Sequence, residues 1–235
     1  MRHSLPVLEH AQVQETVATL ERRILERFPD RNLGRVCTKL RQIGDESVEV
    51  LDWLQRPNLV LRGLVVALTL GLLFVVAIAV SDASDEIDSV GMLELLQVGE
   101  AAINDAIFVG IAIFFLWSIE RRIKRARALR QIQKLRSIAH IVDMHQLKKD
   151  PARVFKTWNE TPSSPESELT VFQLERYLDY CSEMLSLTGK LAVLYLENFD
   201  DREVLSSVNE VELLTTGLSR KIWQKLMILE ASTPS

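Results

Sequence analysis

The feature that most constrains this chain is a long stretch, Gly63 to Ile119, that contains no lysine or arginine. Two apolar segments lie within it, separated by an acidic one, and basic residues stand on both sides. A hydrocarbon core about 30 Å thick is crossed by about 20 helical residues. The pattern therefore predicts an all-α integral membrane protein, in which a two-span transmembrane helical hairpin is flanked by cytoplasmic helical segments.

The first apolar segment predicts a span at about residues 59–80. Between Gly63 and Val80 the only polar side chain is the hydroxyl of Thr69. Arg62 precedes this run and can extend its charged end toward the headgroups, so that the apolar length reaches the membrane surface. The alternative is a wholly buried helix of a soluble protein, which rarely runs so long without a charge.

The second apolar segment, Ala106 to Trp117, is short and alone would also suit a core or re-entrant helix. A span at about residues 101–119 reaches full length by including Asn104 and Asp105. These two polar residues would then lie near the outer interface, where a charge costs less than at the membrane centre. Residues 81–105 are predicted to form an acidic outward loop that overlaps the start of this span.

Charge predicts the orientation. Basic residues that flank a span mark the cytoplasmic side, so both termini are expected in the cytoplasm of a cell whose plasma or inner membrane holds the protein. The basic residues after the second span are also candidates for binding anionic lipid headgroups. Nucleic acid is the competing partner for a basic stripe, but none is expected so close to a membrane. The headgroup candidates are Arg121, Arg122, Lys124, Arg125 and Arg127.

Small residues recur at every fourth position in both predicted spans, which places them on one face of each helix. Such faces let two helix backbones approach closely. We interpret them as packing surfaces, either against each other or against a second copy, and the alternative is that Gly and Ala are simply common in membrane helices. The helix-packing candidates are Gly63, Ala67, Gly71, Ala102, Ala106 and Gly110.

The rest of the sequence predicts further segments on both sides of the transmembrane hairpin. Residues 1–57 predict an N-terminal cytoplasmic helical hairpin, which precedes the transmembrane hairpin of residues 58–119. Residues 120–150 predict a basic juxtamembrane helix, because residues 120–156 hold 12 basic and 3 acidic side chains. Prolines and serines predict a linker at residues 151–167. Residues 168–235 predict a C-terminal cytoplasmic helical hairpin with a heptad-like seam.

Periodicity supports the helical segments. In the basic helix, apolar residues recur at every third position from Ile123 to Leu147, a stripe that spirals and would need partners on several sides. Thr170 with Gln173, and Asp200 with Glu203, have the spacing of helix-start capping boxes. In the last segment the spacings alternate between three and four, as in coiled coils. The seam comprises Val171, Leu174, Leu178, Cys181, Leu185, Thr188, Ala192 and Tyr195.

Residues that could carry chemistry are few. His140, Asp143 and His145 lie close together, but the two histidines are five residues apart and point in different directions on a helix. We therefore expect no metal site there, and no cofactor. Cys37 and Cys181 fall in predicted cytoplasmic segments, so no disulfide is expected.

The sequence contains no phosphate-binding loop, no nucleophile elbow and no CxxC or HExxH motif. The function that we predict is a non-enzymatic membrane protein, self-associating as a homo-oligomer or binding another helical protein through its cytoplasmic helices. One alternative is a small oligomeric cation channel, with Asn104 and Asp105 at the pore mouth. Another is an accessory subunit of a membrane complex.

Overall fold

A computed structural model describes residues 8–86, 92–151 and 169–232, and the regular secondary structure in these ranges is helical. The all-α prediction is confirmed for this part of the chain. The residues form two compact units: a bundle made of Met1–Gln55 with Arg127–Ser235, and an apolar unit made of Arg56–Ala126. The helices are α1 (His10–Arg27), α2 (Asn32–Gln55), α3 (Leu59–Glu86), α4 (Met92–Leu147), α5 (Val171–Asn198) and α6 (Arg202–Ser232).

The first two helices of the bundle pack together through amphipathic faces. Helix α1 ends at Arg27, just before Pro29, because the residue that precedes a proline is disfavoured in helical conformation. Gly44 gives α2 a close approach to α1, where the carboxamide of Gln14 lies against its backbone. The buried apolar stripes are Val13, Val17, Leu20 and Ile24 on α1, and Leu33, Val36, Leu40, Ile43, Val50 and Leu54 on α2.

Helices α5 and α6 form the second part of the bundle. The predicted capping box is confirmed, since Gln173 N donates to Thr170 Oγ1 at 3.2 Å and Thr170 N donates to Gln173 Oε1 at 3.0 Å. Seven of the eight seam residues, from Leu174 to Tyr195, are buried, and Val171 is half-buried. The start of α6 differs from the prediction by one residue. The backbone N–H of Glu203 donates to the carboxylate of Asp201, not of Asp200.

The bundle part of α4 corrects the every-third stripe. Five of the residues that the bundle buries follow alternating spacings of four and three, namely Ala128, Ile132, Leu135, Ala139 and Val142, and Ile138 of the predicted stripe and Gln146 are buried as well. Of the predicted stripe, Ile123, Ile141, Met144 and Leu147 are exposed. Within the described residues, the buried side chains of this part of α4 lie on a single face of the helix, and two of them are alanines. The helix therefore does not need packing partners on several sides.

Polar contacts tie the bundle helices together inside the core. The hydroxyl of Tyr195 donates to Ser47 Oγ at 2.8 Å, and both side chains are buried. Lys225 of α6 reaches the end of α4, where its Nζ donates to the carbonyl oxygens of Gln146 at 2.6 Å and Lys149 at 3.0 Å. The carbonyl oxygen of Gln146, in the last turn of α4, also accepts from the backbone N–H of Lys149 at 3.0 Å, so two donors satisfy it at this helix end.

In the apolar unit, helices extend into the predicted acidic loop from both sides. Helix α3 continues to Glu86 and α4 begins at Met92, so most of residues 81–105 are helical. This segment contains no proline, the residue that most strongly interrupts a helix. Residues 87–91 lie outside the described residues, as does the predicted linker after Pro151.

Candidate functional site

The apolar unit exposes large aliphatic and aromatic side chains along both of its helices. Among the described residues, one helical stretch within residues 32–74 is long and apolar enough, by length and composition, to span a membrane. Only 6% of that apolar window is buried. The exposed residues are Leu59, Val60, Leu64, Val66, Leu68, Leu70, Leu73, Phe74 and Ile78 on α3, and Ile103, Ile107, Phe108, Ile111, Phe114, Phe115 and Trp117 on α4.

The small residues predicted as packing surfaces face open space. A Cβ atom added at Gly63, Gly71 or Gly110 would meet no heavy atom within 4 Å. Ala67 and Ala106 are exposed. Contact between the two small-residue faces, one of the predicted alternatives, is therefore absent at these glycines. Ala102 lies on α4, but its side chain is outside the described part of the chain.

A polar cluster joins the start of α3 to α4, and we call it the base cluster: Arg56, Asn58, Arg62, Glu120 and Lys124. The carboxylate of Glu120 accepts hydrogen bonds from the backbone N–H of Asn58 at 3.2 Å and from Arg62 Nε at 2.7 Å, and it pairs with Lys124 Nζ at 3.1 Å. Lys124 Nζ also donates to the carbonyl oxygen of Arg56 at 2.8 Å. The cluster thus fixes the beginning of α3 against α4.

The hydrogen bonds of the base cluster favour the ionised form of Glu120. Burial alone would raise the pKa of Glu120, but hydrogen bonds from Arg62, the Asn58 N–H and Lys124 outweigh it and lower the pKa below its usual range. Two cationic side chains therefore surround one carboxylate. Glu120 is not among the residues that the sequence predicts to be functional. Its partner Arg62 lies 58 residues away in the chain, and the only available signal was a lone acid at the edge of the basic segment.

The five headgroup candidates do not share one environment. Lys124 is buried and engaged in the base cluster, so its ammonium group is not presented to solvent or lipid. The guanidinium groups of Arg122 and Arg127 lie 4.7 Å from the ring centres of Phe115 and Trp53, respectively. Arg121 is exposed, whereas Arg125 is half-buried. The exposed candidates are therefore Arg121, Arg122 and Arg127.

The other polar candidates are not brought together. Asn104 is exposed on α4, and Asp105 lies on the same helix with its side chain outside the described residues. His140 is exposed, whereas Asp143 accepts from Gln146 Nε2 at 2.6 Å. In the part of the chain that the structure describes, no group of three His, Cys, Asp or Glu side chains could hold a metal ion. Cys37 and Cys181 are free, buried thiols.

Beside the base cluster, α3 and α4 enclose a cleft of about 420 Å³. Its walls are apolar, and two charged side chains, Arg62 and Glu120, stand at one end. Clefts of about 300–1,000 Å³ with apolar walls and a few polar groups are typical of sites that hold small molecules. The cleft is lined by Leu61, Arg62, Val65, Val66, Leu116, Trp117 and Glu120.

The bundle has exposed apolar residues of its own, concentrated on α6. Leu213 is 75% exposed and Trp223 is 62% exposed, and Met227 and Ile228 are also exposed. Large exposed aromatic side chains are enriched at protein–protein contacts. These four residues are candidates for contact with another helical protein.

No protein-family model, no curated protein and no solved structure matches this chain.

Proposed function

We propose that this chain is a non-enzymatic membrane protein that crosses the plasma or inner membrane twice and presents its bundle in the cytoplasm as an interaction module. The observation that carries the proposal is the exposed apolar surface of α3 and α4. A soluble monomer rarely exposes a contiguous apolar patch larger than a few hundred Å². Lipid is the environment in which a surface of this kind is stable, because it requires no burial against protein.

Basic residues support the proposed orientation. Arg56 and Arg62 stand before the first span, and the arginines from Arg121 onward follow the second. Lysines and arginines near span ends mark the cytoplasmic side, so both termini lie in the cytoplasm. Exposed Arg121 and Arg122 then meet the anionic headgroups of the inner leaflet, each contributing about 1 kcal/mol of attraction.

Open small-residue faces support self-association within the membrane. Because an added Cβ atom at Gly71 or Gly110 meets nothing within the chain, these faces are available to a second copy of it. The exposed α6 residues offer a separate surface for a helical partner in the cytoplasm.

Membrane fractionation tests the proposal. Cells that produce the full chain are broken, and the membranes are washed with high salt and with urea. The chain is expected to stay in the membrane pellet and to be released only by detergent. Recovery in the soluble fraction, or release by salt alone, would overturn the proposal.

Crosslinking in native membranes tests self-association. Gly71→Leu and Ala106→Leu place bulky side chains on the small-residue faces and are expected to reduce the crosslinked oligomer. Leu72→Ala, on another face of α3, is the control and is expected to change it less. Equal oligomer yields from all three variants would contradict self-association through these faces.

A further inference from the structure

The cleft beside the base cluster has the form of a lipid site. We propose that it binds one anionic membrane phospholipid, with an acyl chain along its apolar walls and the headgroup phosphate at Arg62. This inference rests on the proposed membrane location. It goes beyond headgroup attraction to a basic surface, because it assigns a defined site to a single lipid.

The apolar walls fit a hydrocarbon chain. Val65 is only 8% exposed, which marks the depth of the cleft, whereas Val66 is 49% exposed at its opening. Leu61 and Leu116 complete walls that carry no polar side-chain atom. Because the surrounding bilayer is equally apolar, these walls hold a lipid chain by van der Waals packing and not by removing it from water.

The charged end fits a phosphate. Glu120 is already bound by three donors, and Arg62 and Lys124 together exceed it by one positive charge. Arg62 binds Glu120 through Nε, while its side chain is 60% exposed. A guanidinium group has five N–H donors, and its terminal nitrogens match the geometry of phosphate oxygens.

The location of the cleft favours a phospholipid over other occupants. Both flanks of the cleft are continuous with the exposed apolar surfaces of α3 and α4, which lie in lipid under the proposed function. Trp117 is 67% exposed at the rim, and tryptophan is enriched where hydrocarbon meets headgroups. The net positive charge selects an anionic headgroup over a zwitterionic one.

Native mass spectrometry of the full chain, purified from membranes in mild detergent and then delipidated stepwise, tests the proposal. The wild-type chain is expected to retain one anionic phospholipid after the annular lipids are gone. Val66→Trp fills the opening of the cleft and is expected to abolish retention. Leu70→Trp places the same side chain at an exposed position of α3 outside the cleft, and retention should persist.

Arg62→Gln tests the headgroup contact separately. Loss of one cation near the surface is expected to weaken the preference for anionic over zwitterionic phospholipid about fivefold. Arg35→Gln, at an exposed position of α2 in the bundle, is the control and should preserve the preference. Far-ultraviolet circular dichroism of each variant verifies that the helices are intact.

Three outcomes would overturn the inference: a wild-type chain that retains no phospholipid, a cleft that holds detergent or a second copy instead, or equal retention by Val66→Trp and Leu70→Trp. These outcomes are distinct from failure of the proposed function. Failure of the proposed function appears earlier, as recovery of the chain in the soluble fraction.

Discussion

Two parts of α4 differ in the exposure of their apolar side chains. In the bundle, α4 buries Ile132 and Leu135 completely. In the apolar unit, α4 leaves Ile111 60% exposed and Phe114 74% exposed. The bundle part alternates buried positions with charged ones, as an amphipathic helix in water does, whereas the apolar part has no charged side chain from Ala106 to Ile119.

This difference in exposure corresponds to a large difference in free energy if both parts lie in water. Removing a Leu, Ile or Phe side chain from water is worth about 1.5–3 kcal/mol. A handful of such side chains left in water would forgo as much free energy as the whole net stability of a domain, about 5–15 kcal/mol. This difference is the reason why we propose two solvents: water around the bundle and hydrocarbon around the apolar unit.

The largest expected effect comes from emptying the bundle core. Leu135→Ala removes a fully buried side chain from α4 and is expected to lower the free energy of unfolding of the bundle by about 2–5 kcal/mol. Urea unfolding in mild detergent, followed by the labelling of the buried Cys181 thiol, measures it. Ile111→Ala, on the same helix but in the apolar unit, is the matched control and should leave this transition in place. An equal loss of unfolding free energy in the two variants would contradict the difference between the two parts of α4.

A charge placed in the apolar unit should act on insertion. Leu68→Arg puts an arginine near the centre of the first predicted span and is expected to cost about 3 kcal/mol of insertion free energy. A glycosylation-based insertion assay measures this cost. Leu213→Arg, at a more exposed position of α6, should affect neither insertion nor folding. Insertion that is unchanged by Leu68→Arg would argue against lipid around α3.

Alkaline pH should destabilise the bundle selectively. Burial raises the pKa of Cys181 from 9.0 to about 12, and burial is also the main cause that raises the pKa of Tyr195 to about 12. Because the folded state keeps these protons while the unfolded state releases them, the stability is fully present below pH 9 and is lost as the pH rises toward 12.

Urea unfolding of the bundle at several pH values measures this loss. For this series the transition is followed by circular dichroism. Cys181→Ala removes one of the titrating groups and is expected to make the dependence on pH shallower. A stability that is constant from pH 8 to pH 12 would contradict the burial of these groups.

The smallest expected effect compares two helix caps. Asp201 caps α6 in the bundle, where its carboxylate accepts from the N–H of Glu203 at 3.0 Å. Asp201→Ala is expected to lower the stability of the bundle by about 1 kcal/mol. Asn58 caps α3 in the apolar unit by accepting from the N–H of Leu61 at 3.1 Å, and Asn58→Ala should leave the bundle unchanged. A loss of bundle stability from Asn58→Ala would show that the two units unfold together.

Some of these features could be predicted from the sequence, and others could not. The α5 seam could be predicted because large residues such as Leu178 and Leu185 occupy its positions. The α4 seam could not, since Ala128 and Ala139 occupy two of its positions and alanine gives no strong apolar signal. The predicted every-third stripe includes residues that are exposed, such as Ile141 and Met144.

The base cluster illustrates a second limit of prediction from sequence. The bond between Arg62 and Glu120 joins residues far apart in the chain, and local spacing carries no information about such contacts. The helix ends within the predicted acidic loop could not be predicted either, because acidic residues are compatible both with helix and with loop. Asp200 has the capping-box spacing to Glu203, but its neighbour Asp201 provides the cap.

The central claim, that the apolar unit lies in the membrane with the bundle in the cytoplasm, is tested most directly by cysteine accessibility in intact cells. The two natural thiols are buried, so the wild-type background should react little with a membrane-impermeant maleimide. Single cysteines are then placed at Glu100 in the outward segment, at Phe108 within the second predicted span, and at Asn209 on α6. The account predicts labelling of position 100 in intact cells, of position 209 only after permeabilisation, and of position 108 in neither case. Labelling of position 209 in intact cells, or rapid labelling of position 108, would contradict it.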